Sequence, residues 1–317
     1  MATRKKAAPK PLPVNTTSGP TSAGWHEIEA YMRCPKEYQF KQVRKIRKPQ
    51  AQTPDYFAVG QLFHVAKAHW FARQFDSSEA TLTEIRNLLM DAAAQNKLPV
   101  AMSAIQTTLR YFEEYVAHYR MAPRPRVLAA EYDVGPAALI PGDDSMLWRT
   151  ARLDDVSYYP EAGNKLCIGE TKTTSGTISD CVMQYTLHGQ PILQRLLWKV
   201  APQGEAMHGP VVGVMLDVIQ KGYSGKPCKF QRVFIPISDY TLEWYAKSLR
   251  AVVQASKTVT WDSDELRNVS MCSRLIGRAR LPCEYRELCM YGRSASINYV
   301  LEDGSSLLTS KKGEAWK

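Results

Sequence analysis

The chain has 317 residues, of which 44% are apolar, 23% charged and 10% aromatic; this is enough to bury a sizeable core and excludes fibrous, collagen-like and wholly disordered proteins. No apolar run reaches the ~18 residues of a membrane span, the best one, Val211 to Ile219, being broken by Asp217. Lys and Arg number 41 against 31 Asp and Glu, and residues 1–50 hold 11 basic and 3 acidic residues, so +8 of the net +10 lies in the first sixth of the chain.

Residues 1–23 are rich in Lys, Pro, Thr, Ser and Gly and read as a disordered basic arm. The opening MATRKKAAPK has no apolar h-region, which predicts no secretory signal and a cytoplasmic protein. Cys34-Pro35 should split a helical region, because proline disfavours the helical conformation for the residue before it. Lys41, Arg44, Lys45, Arg47 and Lys48 form a basic run that would raise local phosphate concentration without reading sequence; a solvated helix face is the other reading of the same run. Helices are predicted over Phe57–Phe75, Leu82–Gln95 and Ala104–Arg120. Strands follow over Val127–Val134, Leu147–Tyr159, Lys165–Lys172, Val211–Ile219 and Phe230–Ile237. A helix over Asp180–Val200 lies among them, which Pro191 should kink or divide. Ser238 or Asp239 should cap a last helix running to about Lys257. The expected layout is a mixed α/β fold: a small central sheet, mostly antiparallel, flanked by helices. It forms one domain over 24–292 with a tail at 293–317, and no long linker divides it.

Seven cysteines are an odd number in a chain without a secretory signal, so a disulfide framework is not expected. Cys272, Cys283 and Cys289 cluster near the C-terminal end and Cys34 stands alone near the other. Such clustering points to metal, redox chemistry or burial, while Cys167, Cys181 and Cys228 read as small buried hydrophobes.

The strands around residue 162 carry the chemistry. Pro160, Gly163 and Asn164 are turn residues. A hairpin centred on residue 162 sets Asp154 opposite Glu170, with Cβ atoms roughly 4.5–5.5 Å apart on one face. Lys172 lies on that face, about 6–7 Å along the strand. Opposed carboxylates repel unless a cation sits between them. Mg²⁺ or Mn²⁺ suits such a pair and keeps room for water and substrate phosphate. The alternative is a surface network that Lys172 neutralises, with Asp155 as its solvent-facing neighbour. In the helix after Phe57, Val59, Leu62, Phe63, Ala66 and Trp70 form an apolar stripe, and His64 falls about 140° from its centre. Gly60, one turn earlier, costs roughly 1 kcal/mol against alanine in a helix and implies close approach of another group.

In order along the chain, Cys34-Pro35, Gly60-x3-His64, Ala151-Arg152-Leu153-Asp154-Asp155-Val156, Gly169-Glu170-Thr171-Lys172, Gln184-Tyr185 and the frame Cys272-x10-Cys283-x5-Cys289 resemble the RecB-like branch of the PD-(D/E)XK nuclease superfamily. The likeness is to its iron–sulfur members, such as the AddB nuclease domain and CRISPR-associated adaptation exonucleases, and it runs from about Trp25 to Gly292. The chain departs from that pattern at Ala151, at His188 and in the ten-residue gap after Cys272. The resemblance implies a restriction-endonuclease-like core, with His64, Asp154, Glu170 and the Thr171 carbonyl as ligands of Mg²⁺ or Mn²⁺. Lys172 would orient the attacking water, Gln184 would position Lys172 or the scissile strand, and Tyr185 would contact DNA. Glu131 matches a frequent family acid and is expected to be structural more often than catalytic. Cys34, Cys272, Cys283 and Cys289 would ligate a [4Fe–4S] cluster, or zinc, joining the N- and C-terminal parts.

The implied activity is a metal-dependent DNA exonuclease acting on single strands or ends, in recombination, repair or phage DNA metabolism of a bacterial or phage-infected host. The alternatives are a non-catalytic DNA-end-binding or scaffold protein and a structural metal-bearing interaction protein. No G-x-x-x-x-G-K-[ST] motif occurs, so a helicase, a recombination protein or a natural end would supply the strand.

Overall fold

The computed structural model describes residues 25–49, 55–95, 102–140, 142, 143, 146–148, 151–186, 188–222, 226–263, 265, 273–276, 279–303 and 305–307. Helix α1 (Trp25–Arg33) stops where Cys34 turns extended (φ −161°, ψ 110°), and Pro35 opens α2 (Pro35–Tyr38). This is the break that proline imposes on the residue before it, while its own fixed φ suits a first turn. A π-helical turn, Gln39–Val43, leads to β1 (Ile46–Arg47). Three long helices follow: α3 (Asp55–Ala72), α4 (Glu79–Gln95) and α5 (Met102–Tyr119).

Next come β2 (Arg126–Val134), β3 (Ala137–Ala138), β4 (Leu147–Trp148), β5 (Ala151–Tyr159) and β6 (Lys165–Thr174). Helices α6 (Ile178–Thr186) and α7 (Gly189–Val200) divide the single helix expected there. The division falls at His188, the N-cap of α7, so Pro191 sits in a first turn, where its missing N–H costs nothing. After α8 (Glu205–His208), β7 (Gly213–Gln220) and β8 (Lys229–Pro236) comes α9 (Asp239–Lys257). Ser238 caps α9, its Oγ accepting from the Thr241 N–H at 3.1 Å. Strands β9 (Ser273–Ile276) and β10 (Ala279–Pro282), helix α10 (Arg286–Tyr291) and β11 (Val300–Leu301) close the chain. No helix of the described residues is long and apolar enough to cross a membrane.

The residues gather into two compact units interleaved in sequence. The first, within 54–137 and 150–242, holds a five-stranded sheet in the order β2-β5-β6-β7-β8. It is antiparallel except where β6 and β7 run parallel, the mixed sheet of a restriction-endonuclease-like core. Strand alternation sends successive side chains to opposite faces, and β7 shows it. Leu216 and Val218 pack with Tyr185 and the apolar side of α6. Ile219 joins the core of α3, α4 and α5 around Phe63, Trp70, Phe112 and Tyr115.

The second unit, within 22–53, 138–149 and 243–317, is built on Phe40, Ile46, Tyr285, Leu288, Tyr299 and Leu307. β1 pairs antiparallel with β11, Ile46 against Leu301. Gln39 Nε2 donates to the Thr260 and Ser263 carbonyls at 2.8 and 2.6 Å. The expected tail therefore begins too early: Tyr299 is 1% and Leu307 0% exposed. The N- and C-terminal parts of this unit meet through backbone pairing and packing; Cys272 lies outside the described residues.

Candidate active site

Helix α3 buries Ala58, Val59, Leu62, Phe63, Ala66 and Trp70 and leaves the His64 side chain 29% exposed. Gly60 has the close neighbour its position implied: a Cβ there would stand 3.3 Å from Thr173 Oγ1 of β6. The hairpin has the expected register. Its pairs run from Tyr159–Lys165 to Asp155–Gly169, around Pro160–Ala162 with Gly163 and Asn164 left-handed. One step further sets Asp154 level with Glu170. On the other edge of β5, the pairs Ala130–Asp155 and Tyr132–Leu153 set Glu131 level with Asp154. Glu131 has φ 49° inside a strand, a conformation that costs of order 1–3 kcal/mol and gathers at functional sites.

Three donors converge. His64 Nδ1 lies 3.1 Å from Asp154 Oδ2, and one ligand atom each from His64, Glu131 and Asp154 fall within 4.8 Å of one another. Burial disfavours the His64 imidazolium, but the Asp154 carboxylate outweighs it and raises the pKa. Burial also works against the Asp154 carboxylate, yet His64, Lys172 and Lys67 hold it down at about 2. Glu131 is pushed up to about 7 by burial and by the Asp154 charge. One imidazole nitrogen and two carboxylates, partly open to solvent, fit a divalent cation of the Mg²⁺ or Mn²⁺ class. Nothing in the sequence pattern separated Glu131 from a structural acid; the structure brings it within reach of His64 and Asp154.

Glu170, 2% exposed, is engaged elsewhere than in that trio. Its Oε1 accepts from Lys172 Nζ at 2.6 Å and from Gln190 Nε2 at 3.2 Å, and its Oε2 accepts from Gln194 Nε2 at 2.8 Å. Burial weakens the Lys172 charge, but Glu170 and Asp154 raise its pKa on balance. Its ammonium lies 5.2 Å from the Tyr185 ring centroid. Tyr185 is 6% exposed and stacks on His188, so it backs Lys172 and does not face solvent. Gln184 is exposed and makes no hydrogen bond to Lys172 among the described residues. The glutamines that reach the site are Gln190 and Gln194 of α7, four residues apart on one face. The available signal was Gln194, polar within the buried run Pro191, Leu193, Leu196 and Leu197.

The opposite side of the same strands holds a network that the sequence reading missed. Asp155 is 1% exposed; it does not face solvent. Its Oδ1 accepts from Ser157 Oγ at 2.7 Å and Tyr159 Oη at 2.8 Å. The side chain lies over Gly169, where a Cβ would meet Asp155 Oδ2 at 2.0 Å. Lys67 Nζ sits 3.7 Å from Asp155 Oδ2 and 3.0 Å from Asp217 Oδ2, and donates to Thr171 Oγ1 at 2.7 Å. Asp217 is also bonded by Tyr115 and paired with Arg232 at 3.5 Å. Two buried cations thus match two buried anions. Burial raises the pKa of Asp155, whereas Lys67 and Arg232 outweigh burial at Asp217 and lower it.

The basic run is only partly available to a ligand. Arg44 Nε donates to the Trp261 carbonyl at 2.9 Å and its guanidinium lies against the Trp261 ring. Arg47 donates to the Glu302 carbonyl, and Lys48 pairs with Glu287 at 3.9 Å. Lys41, Lys45, Arg47 and Lys48 are exposed, and Arg44 is half-buried. A family model described as the PD-(D/E)XK nuclease superfamily matches residues 25–290. No curated protein matches the chain.

Proposed function

The chain belongs to the PD-(D/E)XK nuclease superfamily, which implies a metal-dependent nuclease, and we propose that it is a DNA exonuclease of the RecB-like branch, acting on single strands or ends. The observation that carries the reading is the meeting of His64, Glu131 and Asp154 beside the Glu170–Lys172 pair. Asp154, Glu131 and His64 would hold Mg²⁺ or Mn²⁺, with Glu170 at the edge of the site. When bound, such an ion lowers the pKa of water and polarises a phosphoryl oxygen.

The remaining roles follow from the chain itself. The Thr171 N–H donates to Asp154 Oδ2 at 2.6 Å. A strand residue presents its C=O to the same edge as its N–H, so the Thr171 carbonyl faces the donor group. Lys172 stays protonated on Glu170 and therefore acts as a cation, hydrogen-bonding the attacking oxygen and stabilising charge on the phosphate. Glu170, held on both oxygens by Lys172, Gln190 and Gln194, fixes where that ammonium stands. Among the basic residues of that run, Lys41, Lys45, Arg47 and Lys48 are exposed and are the charges offered to DNA phosphates.

The same reading assigns Cys34, Cys283 and Cys289, with Cys272, to a [4Fe–4S] cluster, zinc being the alternative. In support, Cys34 is buried, and Cys283 and Cys289 pack on the core that holds Phe40. Brown protein containing iron would support the cluster, whereas colourless protein with bound zinc would replace it.

The test is Mn²⁺-dependent degradation of end-labelled single- and double-stranded DNA by the full chain. Asp154→Ala, Glu170→Ala and Lys172→Ala should each slow cleavage at least ~100-fold, the scale of losing a key electrostatic group, while DNA binding survives. Binding without cleavage by the wild type would assign the chain to the non-catalytic DNA-end-binding alternative. Equal cleavage by wild type and Lys172→Ala would overturn the role of Lys172.

A further inference from the structure

We propose that Lys67 is a positioning residue for the metal donors, clamping the helix that carries His64 to the strands that carry Asp154, Glu170 and Lys172; the inference rests on the nuclease reading above. Lys67 is 4% exposed. Burying an ammonium is costly, and a buried ionic network is often no more stable than well-packed apolar residues in place of all its members. Its ionic and hydrogen-bonding contacts, to Asp155, Asp217 and Thr171, adjoin the site. Asp155 is the next residue after Asp154. Thr171 separates Glu170 from Lys172. Asp217 is the register partner of Thr171 on β7. Lys67 itself follows His64 by three residues, one turn along α3.

These contacts close a ring. His64 Nδ1 meets Asp154 Oδ2 at 3.1 Å, and the same oxygen accepts from the Thr171 N–H at 2.6 Å. Thr171 Oγ1 accepts from Lys67 Nζ at 2.7 Å, and α3 returns from Lys67 to His64. The separation of His64 from Asp154 is thus fixed from two sides, by their own contact and by the lysine behind Thr171. Such supporting bonds orient the residues that touch a metal, and removing one typically costs ~10–100-fold in metal affinity or activity. The remaining charges of the network, Asp217 and Arg232, balance Lys67 and Asp155, so the clamp adds no net charge beneath the donors.

The test uses the full chain and Mn²⁺ alone, with affinity read by electron paramagnetic resonance of the unbound ion, and thermal unfolding followed in parallel. Lys67→Met/Asp217→Asn removes one positive and one negative charge together. Thr171→Val removes only the hydroxyl that Lys67 bonds; it keeps the backbone amide and carbonyl and leaves the Lys67–Asp217 pair intact, so it reports even where the double variant fails to fold. Both should bind Mn²⁺ ~10–100-fold more weakly at temperatures where they stay folded, with DNA cleavage at saturating Mn²⁺ recovering part of the loss. A role confined to stability would lower the unfolding temperature and leave Mn²⁺ affinity unmoved. Folded Thr171→Val that binds Mn²⁺ within ~2-fold of wild type overturns the role of Lys67 alone. Wild-type protein that takes up no Mn²⁺ and degrades no DNA overturns the nuclease reading, and this inference with it.

Discussion

Gly169→Ala should be among the most damaging single-methyl additions in the molecule. The new Cβ would stand 2.0 Å from Asp155 Oδ2 and 2.3 Å from its Cγ, far inside contact distance, so the Asp155 side chain must move. Overpacking of this kind costs about 1–3 kcal/mol. Moving Asp155 also breaks its bonds from Ser157 and Tyr159 and stretches its pair with Lys67. Each buried polar group left without its partner adds about 1–3 kcal/mol. Overpacking plus the two broken bonds totals about 3–9 kcal/mol, a large share of the ~5–15 kcal/mol that holds a typical protein folded. Urea unfolding of Gly169→Ala, set against Gly163→Ala, isolates the cause. Gly163 has φ 67° and nothing within 4 Å of an added Cβ, so its variant loses only the left-handed conformational cost, about 1–2 kcal/mol. A loss below ~1 kcal/mol for Gly169→Ala, or one no larger than for Gly163→Ala, would refute the packing of Asp155 over Gly169.

Metal binding should tighten as pH rises through 7. His64, its pKa raised, and Glu131, pushed up to about 7, must lose their protons to serve as ligands, so calorimetry in two buffers should show proton release on Mn²⁺ binding. The His64–Asp154 pair stabilises the metal-free protein above the unfolded pKa of Asp154. That contribution falls as pH drops toward about 2, where Asp154 protonates, and also as pH rises through the raised pKa of His64. The stability difference between wild type and His64→Gln should therefore be largest in mildly acidic solution and shrink on the alkaline side; a difference flat from pH 4 to 9 would deny the pair. Neutralising Lys41 and Lys45 should reduce the salt dependence of DNA binding by about two charges, whereas Arg44→Ala should lower the unfolding temperature by freeing the Trp261 carbonyl. The opposite pattern would exchange their roles.

The hairpin was legible because a strand's period of two leaves one arithmetic for its turn, and Asp154, Glu170 and Lys172 follow from it. Off-stripe His64 and the crowded Gly60 were legible from helical period. Lys67 was not: lysine in a helix reads as surface, and only the meeting of α3 with three strands buries it. Asp217 interrupts an apolar run and by its composition is merely an irregularity; its partners Tyr115 and Arg232 lie 102 and 15 residues away. Gln184 and Gln190 cannot be separated by spacing alone, since the break before α7 decides which glutamine faces Glu170. Of the four cysteines in the expected cluster, Cys34, Cys272, Cys283 and Cys289, Cys272 lies outside the described residues.

The interleaving of the two units has a consequence for synthesis. The segments of the first unit have all been translated by Leu242, so its sheet can form while the chain is still growing. The second unit must wait, because Phe40 and Ile46, made early, find Tyr299, Leu301 and Leu307 only at the end. At ~5–20 residues per second, the early segment spends several seconds with its apolar side chains uncovered after the first unit is ready. In that interval Phe40 and Ile46 lack the C-terminal side chains they pack against. Premature stops or slow translation between residues 243 and 307 should therefore yield a folded, proteolytically resistant first unit attached to a sticky N-terminal segment, the form in which this protein would be captured by chaperones.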